Sequence, residues 1–551
     1  MNNSKMYVIF FITFMFNTAY SQQGVYISGP TGLKEVGINK VLCMENGNTI
    51  LFHFELRKPL IVKVFDTLHK EIATKKHLCN VLDINVFETA IFKGLYDING
   101  EAVLFVEQNH NNKRVLVRVR FSPATGDIIN ETVLAQSPGA VRPTSFYIMK
   151  DKSGNGYSLL SFTDVSQFKN CTAYVEFFNN RHESLKKISL EFDRKAYDYV
   201  NVIGAESQLN GNCITIGLER LVTNAVTHSA DVSNTRAVYD HFVTAFYIPE
   251  NTTIVHQKTV DLSTETFPYY TSYTYNPFAR TLNLLVFNYK EFLQKFGLDV
   301  QPAALKSALL LNLDETDMSL KYNWIKNQVA NVYYQQQTDT TKLYDGNPIK
   351  MFTNENGLST IVSQSYTQYK SIETKARSNV FESYFDKICI TQCDDEGKEL
   401  WGVVLPAAQY FKSYRHYYFA HELSDRWQHQ AMFDDLPPEV YNRQFVSLNI
   451  YTYKNNYYIV YNDYDKNFNN TITHPGDTVY TFDNTNACVY KLGKKKEITK
   501  SYLFGEPAAN DYKAAFIEGA DFDEQKGTYA ALVQCNKGGE ITLCMAWCQL
   551  N

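Results

Sequence analysis

Residues Lys387–Trp401 read KICITQCDDEGKELW: an alternating run of Ile, Cys and Thr, then four polar turn-forming residues, then the start of a new alternating run. Period-two alternation of apolar side chains is the mark of a strand with two unlike faces, and Asp-Asp-Glu-Gly is a tight connection. The stretch therefore reads as strand, turn, strand. Moving outward, the same form recurs at Ile61–Ile72 (IVKVFDTLHKEI) and Ala173–Leu185 (AYVEFFNNRHESL). Weaker copies lie at Val115–Ile129, Phe242–Val255, Ser307–Leu320 and Ala487–Thr499.

Each copy follows a strand of its own: Asn48–Phe54, Glu101–Glu107, Tyr157–Phe162, Asn212–Leu218, Thr281–Asn288, Leu358–Ser363 and Asn456–Tyr461. An eighth pair, Thr528–Cys535 and Glu540–Leu550, ends the chain. The turn residues Asp66, Ser122, Asn179, Pro249, Asp314, Asp394 and Gly493 are about 56 to 99 residues apart. A unit averaging about 66 residues holds four short strands and their loops, which suits a propeller blade and exceeds a solenoid coil. The reading is an all-β protein, a β-propeller of eight blades, with seven the next count. The last pair lacks an outer strand, and Gly24–Ser28 (GVYIS) is a strand-like segment without a partner. This N-terminal segment is expected to complete the last blade and remove its open edge. Tandem unrelated β-sandwiches are the competing architecture, and no Pro/Ser/Gly-rich linker supports them.

At Asp394–Trp401 (DDEGKELW) the sequence resembles the strand-turn-strand element of exported Bacteroidetes-type propellers and of quinoprotein-like repeats. The likeness covers about a dozen residues of one blade strongly and the others loosely. It implies the propeller fold and carries no active-site residues across.

The chain has 551 residues, net charge -5, 20% charged and 14% aromatic residues, with 39 Tyr and 36 Phe. Such a Tyr-rich, modestly apolar composition suits strands with one wet face. The longest basic run is Lys494-Lys495-Lys496, so neither nucleic acid nor an anionic membrane is an expected partner. Lys5, the apolar run Met6–Phe16 and Ala19-Tyr20-Ser21 make residues 1–21 a secretory signal peptide. Residues 22–551 are then one exported propeller domain, periplasmic, surface-associated or secreted, of undetermined oligomeric state. The apolar run is too short to span a bilayer, and no later run reaches about 20 residues. Of ten cysteines, Cys389 and Cys393, like Cys544 and Cys548, lie four apart on strands, too far to bridge within a pair. Buried thiols are the expectation.

The loop between the second and third strands of a blade emerges on the same face of the ring as the link to the next blade. Units four to seven have long segments there: about 220–240, 289–304, 364–385 and 462–486, joined by the link 406–445. Long loops on a rigid scaffold are where recognition sits. Candidate binding residues are Tyr289, Lys290 and Phe292; Tyr366, Tyr369 and Lys370; Tyr414, His416, His421 and Trp427; Asp463, Tyr464, Asp465 and Asn469. Aromatic rings beside amides and charges stack on sugars or anchor a protein.

Chemical motifs fail one by one. His421-Glu422-Leu423-Ser424-Asp425 begins like a zinc-protease helix, but Asp425 stands where the second His belongs. Asp463, Asp465 and Asn467 alternate like a calcium loop, yet Phe468 replaces the Gly and His474 the closing Glu. Those three are the weak metal candidates, Ca2+ the one cation they suggest, and no cofactor is expected. No G-x-S-x-G, P-loop or CxxC occurs. The leading functional reading is a non-catalytic propeller that binds a protein or glycan at the bacterial cell envelope. The alternatives are a carbohydrate-active hydrolase or lyase, which needs paired carboxyls, and a structural subunit of an outer-membrane or secretion assembly.

Overall fold

The computed structural model describes residues 24–550, except 35–36, 84, 86–89, 111–112, 138–145, 152–153, 155, 163–172, 192–195, 198, 209–210, 230–231, 262–267, 277, 289–307, 342, 345, 354–355, 374–377, 414–443, 447, 475 and 494–495. Its strands form eight separate antiparallel sheets. Blade one shows the plan: Ile38–Cys43, Thr49–Phe54, Leu60–Phe65 and Glu71–His77 pair in chain order. Its first three strands are almost wholly buried and the fourth is mostly exposed. The first strands of blades one to six touch one another in succession, so the sheets stand radially with strand one innermost. Apolar residues alternate towards the two neighbouring blades, and the core is a series of inter-blade layers: Phe52, Phe54 and Val62 meet Leu104, Val117 and Phe121 between blades one and two. This is an eight-bladed β-propeller.

The repeated turn has a local cause. In blade six the N–H groups of Glu396 and Lys398 donate to Asp394 Oδ1 at 3.1 and 2.8 Å. Asp66 does the same for Leu68 and Lys70, and Asn179 for Arg181 and Glu183. Each turn then places one residue at positive φ, namely Gly397, His69 or His182, and each leaves a bulge in its ladder. Short Asx side chains are selected because they satisfy turn amides that the ladder cannot reach. Asp394→Ala is accordingly expected to cost about 1 kcal/mol in chemical denaturation, with the ring intact.

Closure is as the sequence predicts. Val25–Pro30 pairs antiparallel with Glu540–Gln549 (Val25↔Cys548, Tyr26↔Trp547, Ile27↔Ala546) and becomes the outer strand of blade eight. Its entry needs glycine: Gly24 sits at φ 104°, and a Cβ there would lie 2.8 Å from Gln549 Cβ. Blade eight is locked onto blade one by Trp547, whose indole N–H donates to Thr49 Oγ1 at 2.9 Å while its ring stacks on His69 at 4.4 Å.

Three features depart from the sequence reading. The described residues of 220–240 and 364–385 are largely paired strand rather than loop. Gly211–Ser229 and Val232–Pro249 continue as one ladder to Ser229↔Val232, and Ser359–Glu373 and Ser378–Cys393 to Glu373↔Ser378. An unpaired segment of that length leaves its backbone groups unsatisfied, and pairing the two halves satisfies them. Within the link 406–445, Gln409–Ser413 is a fifth strand on Ser378–Cys393. One helix, Gln328–Thr338, also interrupts the all-β pattern. Glu399 on the outer strand of blade six accepts the N–H groups of Lys326 and Val329 at 2.8 and 3.1 Å and so anchors its first turn. No helix among the described residues is long and apolar enough to cross a membrane. The proposed leader, residues 1–21, lies outside them, and the nine described cysteines are all free thiols.

Candidate functional site

The segment Asn456–Tyr464 is blade seven's second strand, and its last residues organise the loop that follows. Asn462 is fully buried and joins neighbouring elements, donating to the carbonyls of Phe445 and Ala515 at 2.9 and 2.8 Å and accepting the Ala515 N–H at 2.8 Å. Asp463, also buried, receives the Asn467 side-chain amide at 2.8 Å on one oxygen and the Lys500 ammonium at 3.0 Å on the other. That ammonium lies 5.4 to 5.6 Å from the ring centres of Phe468, Tyr461 and Tyr490. Burial pushes the Tyr461 hydroxyl well above its ordinary range, with Tyr490 and the Asp463 carboxylate adding to it.

The calcium candidates Asp463, Asp465 and Asn467 all have protein partners here. Asp463 already holds a cation, Lys500, and Asn467 presents N–H rather than oxygen to it. Asp465 instead accepts the Asn486 amide at 2.6 Å. Among the described residues no group of three or more His, Cys, Asp or Glu is placed to hold a metal ion.

Asn467 has a second task. Its amide oxygen accepts the Asp477 N–H at 3.0 Å and its nitrogen donates to the Asp477 carbonyl at 2.7 Å, clamping the return of the loop. Gly476 stands beside it at φ 74°, where a Cβ would collide with Asn470 and Asn467. The clamped loop walls an open cleft of about 780 Å³. Tyr464, Asp465 and Lys466 line one stretch of it, Gly476, Asp477, Thr478 and Tyr480 the next, and Asn484 and Tyr512 complete it. Lys466 and Asp477 form an exposed ion pair at the rim.

From Tyr480 a row of tyrosines leads back to blade six. Val479 is buried in the core and exchanges backbone hydrogen bonds at 2.9 Å with Ala408 and Tyr410, which seats Tyr480 beside Tyr410. Their ring centres are 5.0 Å apart. Tyr410 is directly opposite Tyr384 on the added strand, at 5.1 Å, and Tyr384 meets Tyr369 edge-on at 5.8 Å. The two ends are open, Tyr369 being 60% and Tyr480 52% exposed. Burial raises the Tyr410 hydroxyl to about 12, helped by the Glu382 carboxylate and the neighbouring hydroxyls.

Of the residues singled out from sequence, Tyr464 and Asp465 line the cleft, Tyr369 ends the row and Asp463 sits beneath as a support. Asn469 is exposed and is not among the lining residues. Tyr366 and Lys370 occupy positions on the blade-six hairpin. Tyr289, Lys290, Phe292, Tyr414, His416, His421 and Trp427 lie outside the described residues. Sequence reasoning missed Tyr384, Tyr410, Tyr480 and Tyr512. The first three fall inside segments it had flagged, but neighbours so distant in sequence carry no local signal.

No protein-family model matches the chain, and no curated protein is similar to it in sequence. Among solved structures, it is similar to the WD40 domain of SCAP from fission yeast (9% identity, 95% of this chain and 98% of that one, TM-score 0.33). It is also similar to the polysaccharide lyase Uly1 (8% identity, 95% and 94%, TM-score 0.35) and to prolyl oligopeptidase B from Galerina marginata (8% identity, 93% and 55%, TM-score 0.39). The propeller assignment rests on this chain's own strand order and closure.

Proposed function

We propose that the chain is an exported propeller of the bacterial cell envelope that binds a protein or glycan, without converting it, through the enlarged face of blades six and seven. One observation carries this reading: three segments far apart in sequence meet on that face and are held by backbone hydrogen bonds, yet leave rings exposed. They are the blade-six hairpin, Gln409–Ser413 and the loop around Tyr480. Rigid aromatic side chains left open on an ordered scaffold cost little entropy to bind with. Export is supported by the leader-like N-terminus, and by the closing strand beginning at Val25, just beyond the expected cleavage site. The likeness of Asp394–Trp401 to exported Bacteroidetes-type propellers points the same way.

The cleft's two carboxylates, Asp465 and Asp477, are engaged by Asn486 and Lys466. Hydrolysis of a glycosidic bond asks for two carboxyls facing one sugar. Binding is the reading that needs no rearrangement of these groups.

The test is capture from native envelope extract by the mature chain and by its Tyr369→Ala/Tyr480→Ala variant. Loss of two exposed anchors is expected to lower capture about tenfold or more, with unchanged thermal midpoint. Equal capture by both proteins removes this face from the function, and release of new reducing ends during the incubation replaces binding with catalysis.

A further inference from the structure

Resting on that binding reading, we infer that the ligand is an uncharged polysaccharide laid along the row from Tyr369 to Tyr480, with its end or branch in the adjoining cleft. The cleft's nine lining residues are three tyrosines, one glycine and five other polar side chains, without an aliphatic one among them. A protein hot spot also uses tyrosine, but in a pocket that excludes water, whereas this cleft is open and carries an exposed ion pair. A sugar presents flat C–H faces edged by hydroxyls. It asks for rings to lie against and for donors and acceptors beside them, and those are what the cleft supplies.

Geometry and charge narrow the class. Adjacent rings in the row are 5.0 to 5.8 Å apart, so four tyrosines offer an extended track rather than a single pocket. Its two outermost rings are the exposed ones. The cleft volume of about 780 Å³ lies within the roughly 300–1,000 Å³ usual for small-ligand sites. Among the ionised groups lining it, Lys466 is paired with Asp477 and the Asp465 carboxylate remains, so no cation is in surplus to recruit a polyanion. An acidic polysaccharide meets a carboxylate there, and a neutral one meets hydrogen-bonding partners.

The experiment is affinity electrophoresis of the full mature chain through gels containing a neutral β-glucan, a mannan, a xylan, a starch or the polyanion alginate. Tyr480→Ala, Tyr369→Ala and Tyr322→Ala are run alongside. Tyr322 is 67% exposed on the outer strand of blade five and serves as the control. At least one neutral polysaccharide is expected to retard the wild type and the Tyr322→Ala protein alike. Tyr480→Ala should weaken that retardation at least tenfold and Tyr369→Ala severalfold. The inference is overturned if no neutral polysaccharide retards the chain, if alginate alone does, or if retardation survives both row substitutions. Envelope capture separates the two failures. If the row variants still lose capture of a protease-sensitive partner, the face binds protein and the glycan is wrong; if they capture normally, the face itself is wrong.

Discussion

Deleting residues 24–30 from the mature chain is expected to lower its unfolding free energy by about 5 kcal/mol, from roughly half a dozen ladder hydrogen bonds at about 1 kcal/mol each. The deletion strips the partner from Glu540–Gln549 along Val25↔Cys548, Tyr26↔Trp547 and Ile27↔Ala546. It also breaks the Gly24 carbonyl's bond from Gln549 N–H at 2.8 Å. The uncovered strand carries Met545, Ala546, Trp547 and Cys548, an apolar edge ready to pair with another chain. Denaturation should therefore show the drop in midpoint, and size-exclusion chromatography should show concentration-dependent association. Unchanged stability together with a monomer would mean that the ring does not close through this strand.

The second large effect is in blade two. Glu107, fully buried on Glu101–His110, receives Lys93 at 2.9 Å and Arg114 at 3.0 Å from the strands on either side. Lys93 also lies 5.1 Å from the centre of the Tyr147 ring in blade three. Glu107→Gln keeps the shape and removes the charge that offsets two buried cations, and is expected to cost about 3–5 kcal/mol. The partly exposed pair of Arg120 and Glu101 is the comparison, and breaking it should cost clearly less, about 1 kcal/mol.

The loss at blade two should depend on pH. Burial holds the Lys93 ammonium below its ordinary 10.5, while the Glu107 carboxylate pulls it back up. Without that carboxylate it falls further. A base with a folded value below its unfolded one binds fewer protons when folded, so stability rises with pH through that window, up to about 10.5. Glu107→Gln should regain part of its deficit relative to wild type between pH 7 and pH 10. A deficit that stays constant or widens would show that Lys93 does not carry the cost.

Sequence alone determined the repeat, its eight units and the closing strand. All three are written in short-range features: alternation along Lys387–Cys393, the Asx side chains of Asp66, Asn179 and Asp394 folding back on their own turns, and a last pair of strands lacking an outer one. Such features need hydrogen bonds only within a few residues, so a window of a dozen residues contains them. The sector that has grown, at blades four to seven, was legible as length, though not as structure. Residues 220–240 and 364–385 read as loops, because a polar, aromatic stretch does not reveal that its two halves pair.

Tertiary structure decided the site. Tyr369, Tyr384, Tyr410 and Tyr480 become neighbours because Gln409–Ser413 adds to the blade-six hairpin and Val479 ties the blade-seven loop to Ala408 and Tyr410. It also set Asp463 against Lys500, a residue from the outer strand of the same blade. Which side chains face one another across blades depends on strand register and ring closure, and those are set by packing the whole circle at once.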